Sequence, residues 1–221
     1  MISLSIDGTI RTFEPDVLVV AGYTGADEAA VQHHIDELAA EGVAPPPQVP
    51  MYWTMPAATL CQQPSIGMPS AGTSGEIELA LVVDDNDTFV TAGSDHTCRI
   101  AEAIDIRLSK LICPTPLATE AWEWSELSER WDTLQLAATI EIDGAAELYQ
   151  SATAGGNVAP EELRAGVPWS GEAPRSYVLL CGTVPTIGGI RPADRFTGTI
   201  ADAERTITLD YRVSAVQALT L

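Results

Sequence analysis

The chain has 221 residues and a formal net charge of −20 at pH 7, with 31 acidic residues against 11 lysines and arginines. This excess of negative charge excludes nucleic acid as a partner, because phosphates would be repelled. No apolar run approaches the roughly 18 residues of a membrane span, and the N-terminus lacks the basic and apolar regions of a secretory signal. We therefore expect a soluble, cytoplasmic protein without a membrane partner.

Lysine is almost absent, since Lys110 is the only one in the chain. An acidic, lysine-poor surface is typical of proteins adapted to high salt, where counterions screen self-repulsion, so a halophilic source is our hypothesis. The alternative is an ordinary acidic protein from a GC-rich genome that favours arginine. The four cysteines lack metal-ligand or disulfide-framework spacing and are expected to be reduced and mostly buried.

The first part of the chain predicts strands interrupted by one helix. Residues 1–20 form two strand-like segments around an Asp-Gly turn signal. Residues 21–42 contain good helix formers and a capping candidate at Asp27 or Thr24, which predicts a helix. The proline-rich stretch 44–56 cannot be helical and is expected to run extended.

His34 and Glu37 are three residues apart on the predicted helix and therefore share one face. A carboxylate in that position can orient and charge an imidazole, which is how a general base or acid is held. The alternative is an ordinary surface ion pair on a solvated helix face. Spacing alone leaves both interpretations open.

Residues 74–99 carry three carboxylates that a β-hairpin would bring together. Glu76 and Glu78 begin an apolar, β-branched run, and residues at i and i+2 of a strand share a face. After an acidic turn, a second short strand ends near Asp95. Burying these carboxylates unpaired would be costly, and a hard divalent cation such as Mg²⁺ or Mn²⁺ would resolve that cost. The alternative is an exposed Glu-x-Glu on an acidic edge strand.

The second half of the chain predicts further strands. Residues 97–112 have mixed helical and strand character, and residues 120–130 predict an acidic surface helix. Residues 139–150 predict a hairpin, and from residue 176 strand-like segments alternate with Gly and Asp turns, as in a mainly β domain. The sequence has no GxSxG motif and no phosphate-binding loop, so covalent serine or cysteine catalysis has no support.

Five motifs follow one another between residues 20 and 213. They are Tyr23 with His34-Ile-Asp-Glu37, Glu76-x-Glu78, Gly93-Ser-Asp95-His-Thr-Cys-Arg99, Ser109-Lys110-x-x-Cys113-Pro114, and Cys181-Gly182-Thr183-Val184-Pro185. In this order and spacing the sequence resembles the fumarylacetoacetate hydrolase-like superfamily, as an uncharacterised branch. The resemblance implies a mainly β roll of mixed sheets with one or two peripheral helices. It also implies a single domain over residues 1–221, with 21–56 as helical lid and connector, and a homodimer.

The resemblance further implies a metal-dependent enzyme that acts on a small anionic 2-oxo or 2-enol acid. The metal would be Mg²⁺ or Mn²⁺, with Ca²⁺ able to substitute, and would act as a Lewis acid on a developing enolate. The implied metal ligands are Glu76, Glu78 and Asp95. The implied substrate-binding residues are Arg99, Lys110, Thr183 and Tyr23. The implied catalytic residues are His34, Glu37 and Lys110.

Hydrolysis of a C–C bond in a β-diketo acid of the acylpyruvate type is the reaction expected from the resemblance. Hydration, decarboxylation and tautomerisation need the same enolate and stay open, as does a non-catalytic small-acid binding protein. The sequence departs from the family pattern at Ile100 and Glu102, where Asp and Gln are usual, and at Val184, which is inserted in a Gly-Thr-Pro motif. Asp27 lies where some members carry a fourth metal carboxylate.

Overall fold

The computed structural model describes residues 1–40 and 45–215, without the side chains of His34, Glu37, Leu38 and Ala40. Its first strands and helix are β1 (Ile2–Ile6), β2 (Thr9–Phe13), β3 (Val17–Gly22), α1 (Glu28–Ala40), β4 (Met51–Pro56), β5 (Leu60–Cys61), β6 (Ser65–Met68) and β7 (Thr73–Ser74). The central elements are β8 (Ile77–Asp84), β9 (Asp87–Ser94), β10 (Thr97–Cys98), α2 (Arg99–Glu102), α3 (Ile106–Leu111), β11 (Thr115–Pro116) and β12 (Glu120–Glu123). The last elements are β13 (Gln135–Ile142), β14 (Ala145–Thr153), α4 (Pro160–Ala165), β15 (Ser176–Thr183), β16 (Arg195–Ala201) and β17 (Thr206–Ala215).

Two mixed sheets form the body of the protein. The larger sheet has the order β2-β1-β12-β9-β8-β15-β3-β4, and the smaller one has the order β14-β13-β16-β17-β6. Side chains from both sheets share one apolar core, which includes Leu81 of β8, Ile140 of β13 and Phe196 of β16. The opposite face of the larger sheet carries a second apolar cluster, to which β8 contributes Ala80 and Val82. The predicted mainly β fold with few helices is therefore confirmed.

The apolar sequence of β8 explains its central position in the larger sheet. Seven of its eight residues, IELALVV, are buried, as expected for a continuous apolar run covered on both faces. β8 pairs antiparallel with β9 on one side and with β15 on the other. The alternation of the strand sends Leu79 and Leu81 to the shared core, and sends Glu78, Ala80 and Val82 to the second face.

The predicted Asp-Gly turns are present and have the conformation that tight hairpins favour. Asp7 and Gly8 join β1 to β2 with φ values of 49° and 77°. Asp143 and Gly144 join β13 to β14 with φ values of 50° and 79°. Positive φ at both central residues matches the twist of the paired strands, which explains why Asp-Gly was a reliable signal.

Two helix predictions needed correction. The helix predicted over residues 21–42 is α1, which is shorter because β3 continues to Gly22. The helix predicted over residues 120–130 is wrong, since residues 120–123 form β12, which pairs with β1 and β9, and 3₁₀ turns follow. Burial of Trp122 and Trp124 in the shared core, together with strand pairing, overrides the helical composition. Within the described residues, no helix is long and apolar enough to cross a membrane.

Candidate active site

The β8–β9 hairpin brings the three predicted carboxylates together, and we call Glu76, Glu78 and Asp95 the acid cluster. Glu78 lies on β8, and the backbone N–H of Asp95, just after β9, donates to the carbonyl of Glu76 at 3.1 Å. Glu78 is 2% exposed and Asp95 is 8% exposed, while the Glu76 side chain is 13% exposed. The sequence therefore predicted the meeting of these groups, although their role as metal ligands stays a prediction.

Lys110 supplies a positive charge inside the acid cluster. Its Nζ donates to Oδ2 of Asp95, and lies 3.5 Å from Oγ1 of Thr97. Helix α3 holds it there, because Asp105 caps the helix by accepting from Leu108 N–H at 2.7 Å. Burial alone would lower the pKa of Lys110, but Asp95 and the two glutamates outweigh it and raise the pKa. The side chain is therefore a charged ammonium.

Arg99 is fixed by three protein acceptors. Its Nε donates to Ser74 Oγ at 2.7 Å, its Nη1 to Glu102 Oε2 at 2.9 Å, and its Nη2 to Glu76 Oε2 at 2.8 Å. Although burial opposes the charge, the two carboxylates raise the pKa of Arg99 above its usual range. Substrate binding by Arg99 stays a prediction, and the structure adds a second task, which is to position Glu76.

Burial and neighbouring negative charge disfavour the ionised form of both glutamates in the acid cluster. Burial, followed by the charge of Asp95, raises the pKa of Glu78 well above its ordinary value, against the effects of Lys110 and the Gly182 N–H. That N–H donates to Glu78 Oε2 at 2.7 Å. Burial also raises the pKa of Glu76, against the effect of Arg99. The cluster therefore favours either a proton or an additional cation.

Thr183 lies beside the acid cluster at a bulge in β15. Its hydroxyl donates to the carbonyl of Ile77 at 2.8 Å and accepts from Gln150 Nε2 at 2.8 Å. The pairing register of β15 with β8 shifts between Leu180 and Thr183. Contact with the substrate stays a prediction for Thr183. Gln150 is fully buried and also accepts from Ile77 N–H, and nothing in the sequence distinguished it from other polar strand residues.

Tyr23 lies close enough to Glu102 and Lys110 for their charges to change its pKa. Burial and then Glu102 raise the pKa of its phenol, whereas Lys110 lowers it. Its backbone has a φ of 56°, a left-handed conformation that is unusual for a bulky residue and occurs often at functional sites. The role of Tyr23 in substrate binding stays a prediction.

The remaining predicted residues are on or before α1. The side-chain oxygen Oδ1 of Asp27 accepts from the N–H groups of Ala29 at 3.0 Å and Ala30 at 3.2 Å, so Asp27 is the predicted helix cap. The side chains of His34 and Glu37 lie outside the described part of the structure. Their proposed pairing therefore remains a sequence-based hypothesis.

A buried polar group beneath the acid cluster was missed by the sequence analysis. The Tyr211 hydroxyl lies 2.9 Å from both Ser94 Oγ and His96 Nδ1, and His96 Nε2 lies 3.0 Å from Thr73 Oγ1. A Cβ at Gly75 would overlap the Tyr211 hydroxyl, so the backbone that leads into Glu76 rests directly on this group. Burial lowers the pKa of His96 to about 3, and its imidazole is neutral.

Trp53 is a further residue that the sequence analysis did not assign to the site. It packs on the second face of the larger sheet, the face to which Glu78 also points. The Lys110 Nζ lies 5.7 Å from the centre of its ring. The proline-rich segment around Trp53 indicated only an extended chain, so its proximity to Lys110 could not be foreseen.

Comparison with families and solved structures identifies relatives of this fold. A family model described as "Protein of unknown function (DUF2848)" matches residues 21–211. Comparison of the sequence with curated proteins gives no significant match.

Solved structures with this fold include enzymes of several reaction types. A candidate fumarylacetoacetate isomerase/hydrolase from Oleispira antarctica has a TM-score of 0.69 and 17% identity, over 97% of this chain and 100% of that one. A 5-carboxymethyl-2-hydroxymuconate delta-isomerase from Mycobacterium smegmatis has a TM-score of 0.66 and 17% identity, over 96% and 84%. A 2-keto-3-deoxyarabinonate dehydratase has a TM-score of 0.69 and 18% identity, over 95% and 78%. The predicted resemblance is thus confirmed at the level of the fold.

Proposed function

Because the chain belongs to the DUF2848 family and has the fold of fumarylacetoacetate hydrolase-like proteins, we propose that it is a divalent-metal-dependent enzyme acting on a small 2-oxo or 2-enol carboxylic acid. Hydrolysis of a C–C bond in an acylpyruvate-type acid is the proposed reaction. The hydrolase, isomerase and dehydratase names of the structural neighbours support an enzyme of this general class. A homodimer in the cytoplasm is part of the same proposal.

The single observation that carries the proposal is the acid cluster with Lys110 inside it. Three carboxylates meet at the end of one hairpin, and two of them have a raised pKa because burial and neighbouring negative charge disfavour ionisation. A protein core retains such an arrangement when a cation or a function compensates for it. An exposed acidic edge strand, the alternative from sequence, does not agree with the burial of Glu78 and Asp95.

The donor chemistry of the acid cluster fits Mg²⁺ or Mn²⁺. All three side chains offer hard carboxylate oxygens, which these cations prefer, and the cluster has a deficit of positive charge. Within the described residues, no three His, Cys, Asp or Glu side chains are arranged so that they could hold a metal ion, and carboxylate oxygens of Asp95 and Glu76 pair with Lys110 and Arg99 instead. When bound, the metal would supply Lewis-acid stabilisation of negative charge on substrate oxygens.

The chain's own groups have defined tasks in this proposal. The ammonium of Lys110 holds its proton and can donate hydrogen bonds to substrate oxygens, since its raised pKa keeps it charged. Gly182 N–H and the guanidinium of Arg99 hold the two glutamates in place. His34, assisted by Glu37, is proposed to activate water, and this role rests on the sequence alone.

Metal binding is the first test. Purified protein supplied with Mn²⁺ should retain about one metal ion per chain on elemental analysis, and Glu78→Gln should retain none. Asp87→Asn provides a matched control, because Asp87 lies on the same hairpin but is exposed at its opposite end. Absence of bound Mn²⁺ from the wild-type protein would contradict the proposed function.

Turnover is the second test. A panel of acylpyruvates and oxaloacetate separates C–C hydrolysis from decarboxylation, while isomerisation and dehydration are followed by ultraviolet absorbance of the enol or diene. Acylpyruvate hydrolysis that is lost in Glu78→Gln would support the proposed reaction. Metal binding without turnover of any member of the panel would favour a small-acid binding protein.

A further inference from the structure

The indole ring of Trp53 extends across the neighbouring strand β3 towards the candidate site. The strand order of the larger sheet places β8, β15, β3 and β4 side by side, so Trp53 of β4 starts three strands away from Glu78. Its six-membered ring lies across Gly22 of β3, where a Cβ would be 2.5 Å from the ring. Because adjacent strands are spaced by about 4.8 Å, this overhang brings the ring to roughly 10 Å from the backbone of Glu78.

The ring and the acid cluster are connected through Lys110. Its Nζ is 5.7 Å from the ring centre and also donates to Asp95. A substrate oxygen bound by Lys110 would therefore have the Trp53 ring beside it, in the direction away from the acid cluster. The indole is only partly buried, so part of its surface is available for contact. Flat aromatic and conjugated groups pack well against such a surface.

The charges around the site argue against a second carboxylate on the substrate. Four carboxyl groups, those of the acid cluster and Glu102, lie at the site beside only two cationic side chains, Arg99 and Lys110. A divalent cation would balance this set, and the carboxylate of a 2-oxo acid would then return it to net negative. Each nitrogen of Arg99 already donates to a protein oxygen. A further substrate carboxylate beside Trp53 would meet this net negative charge, and the guanidinium of Arg107 next to that strand already donates to the Thr54 carbonyl.

These observations lead us to infer that Trp53 forms the far wall of the substrate pocket and that the substrate carries an uncharged, flat distal group, either aromatic or conjugated. This inference rests on the proposed function, because it assumes that a 2-oxo acid binds at the acid cluster. Trp53 is then a specificity-determining residue, whose ring contacts the distal group of the substrate. Lys110 and the acid cluster contact the reacting atoms.

Binding of inert ligands tests this inference without relying on turnover. Isothermal titration calorimetry of the Mn²⁺-loaded protein would compare oxalate, which has no distal group, with phenylpyruvate and 2-oxoglutarate. Phenylpyruvate should bind about ten times more tightly than 2-oxoglutarate, and Trp53→Ala should remove about that factor while oxalate affinity is unchanged. Trp53→Phe, which keeps an aromatic ring, should retain part of the preference.

Two control variants separate specificity from general damage. Trp169→Phe changes another partly buried tryptophan, which packs against Tyr177, and should leave all three affinities unchanged. Arg107→Gln removes the guanidinium that donates to the Thr54 carbonyl at 3.1 Å on the strand of Trp53, and should not alter the preference. Circular dichroism and thermal unfolding would verify that each variant is folded.

The outcomes distinguish the inference from the proposed function. Oxalate binding with equal or tighter binding of 2-oxoglutarate would overturn the inference and leave the proposed function intact. Tight 2-oxoglutarate binding that is lost in Arg107→Gln would assign the far wall to an anion site instead. Failure of the wild-type protein to bind oxalate in the presence of Mn²⁺ would overturn both.

Discussion

The ammonium of Lys110 donates a hydrogen bond to the carboxylate of Asp95, and the two side chains are only 11% and 10% exposed. Lys110 is the only lysine in a chain of net charge −20. An ammonium is a compact charge that fits between carboxylates, whereas the planar guanidinium of arginine requires a broader set of acceptors. The position of this residue explains why a composition otherwise limited to arginine retains one lysine.

Replacing Lys110 by methionine should destabilise the metal-free protein by about 3 kcal/mol, because one partner of a buried ion pair is removed. Mn²⁺ should restore stability, by about 2.7 kcal/mol at a concentration one hundred times its dissociation constant. Substrate binding and turnover should be lost while metal binding remains. Urea unfolding with and without Mn²⁺ measures the first two effects. Equal stability of the variant and the wild-type protein without metal would contradict this assignment.

Replacing Arg99 by glutamine should destabilise the protein by about 3 kcal/mol, since Glu76 and Glu102 lose their shared partner in a mostly buried position. Arg175→Gln is the control, because its pair with Asp85 is exposed and should contribute little to stability. Denaturant unfolding at fixed ionic strength measures both. Similar losses in the two variants would show that Arg99 acts as an ordinary surface charge.

Tyr211→Phe removes a hydroxyl with two buried partners, Ser94 and His96. We expect a loss of about 1–3 kcal/mol, because buried polar atoms are left unpaired. Tyr149→Phe is a matched control: both tyrosines are almost completely buried, but the Tyr149 hydroxyl, although it lies near Ser74, makes no hydrogen bond of ordinary length and angle within the described residues. Its removal should be close to neutral. A larger effect at Tyr149 than at Tyr211 would reverse this assignment of the two hydroxyls.

His96 should make stability depend on pH in the acidic range. Burial lowers its folded-state pKa from 6.5 to about 3, so between these values the unfolded chain binds a proton that the folded chain does not. The free energy of unfolding is therefore not reduced by His96 above pH 6.5. It falls as the pH drops from 6.5 towards 3, by about 2 kcal/mol between pH 6.5 and 5. His96→Gln should flatten the pH dependence of the unfolding free energy in this interval. An unchanged slope would show that the imidazole is protonated in the fold.

The sequence predicted those parts of the fold that local signals determine. Asp-Gly turns and the apolar run of β8 correctly indicated hairpins and a buried central strand. The helix expected over residues 120–130 failed because composition there favours a helix, while the pairing of β12 with β9 depends on residues about thirty positions away. Long-range pairing of this kind has no signature in a single segment.

The sequence predicted those residues of the candidate site that lie close together along the chain. It missed those that only the packing of distant strands brings there. Glu78 lies on β8 and Glu76 lies just before it, so their meeting with Asp95 followed from hairpin geometry. Tyr211 and Trp53 resemble ordinary core or loop aromatics, and only the packed sheets show that one supports the acid cluster and the other overhangs it. Their contribution comes from strands distant in sequence, which no local spacing could reveal.

The contact between Gly75 and Tyr211 has a consequence for the order in which the protein is completed on the ribosome. The acidic hairpin is translated early, but the hydroxyl on which it rests belongs to β17, the last described strand. A nascent chain that ends before Thr206 lacks this support and leaves Ser94 and His96 without their shared partner. The acid cluster can therefore reach its final geometry only after β17 has left the exit tunnel.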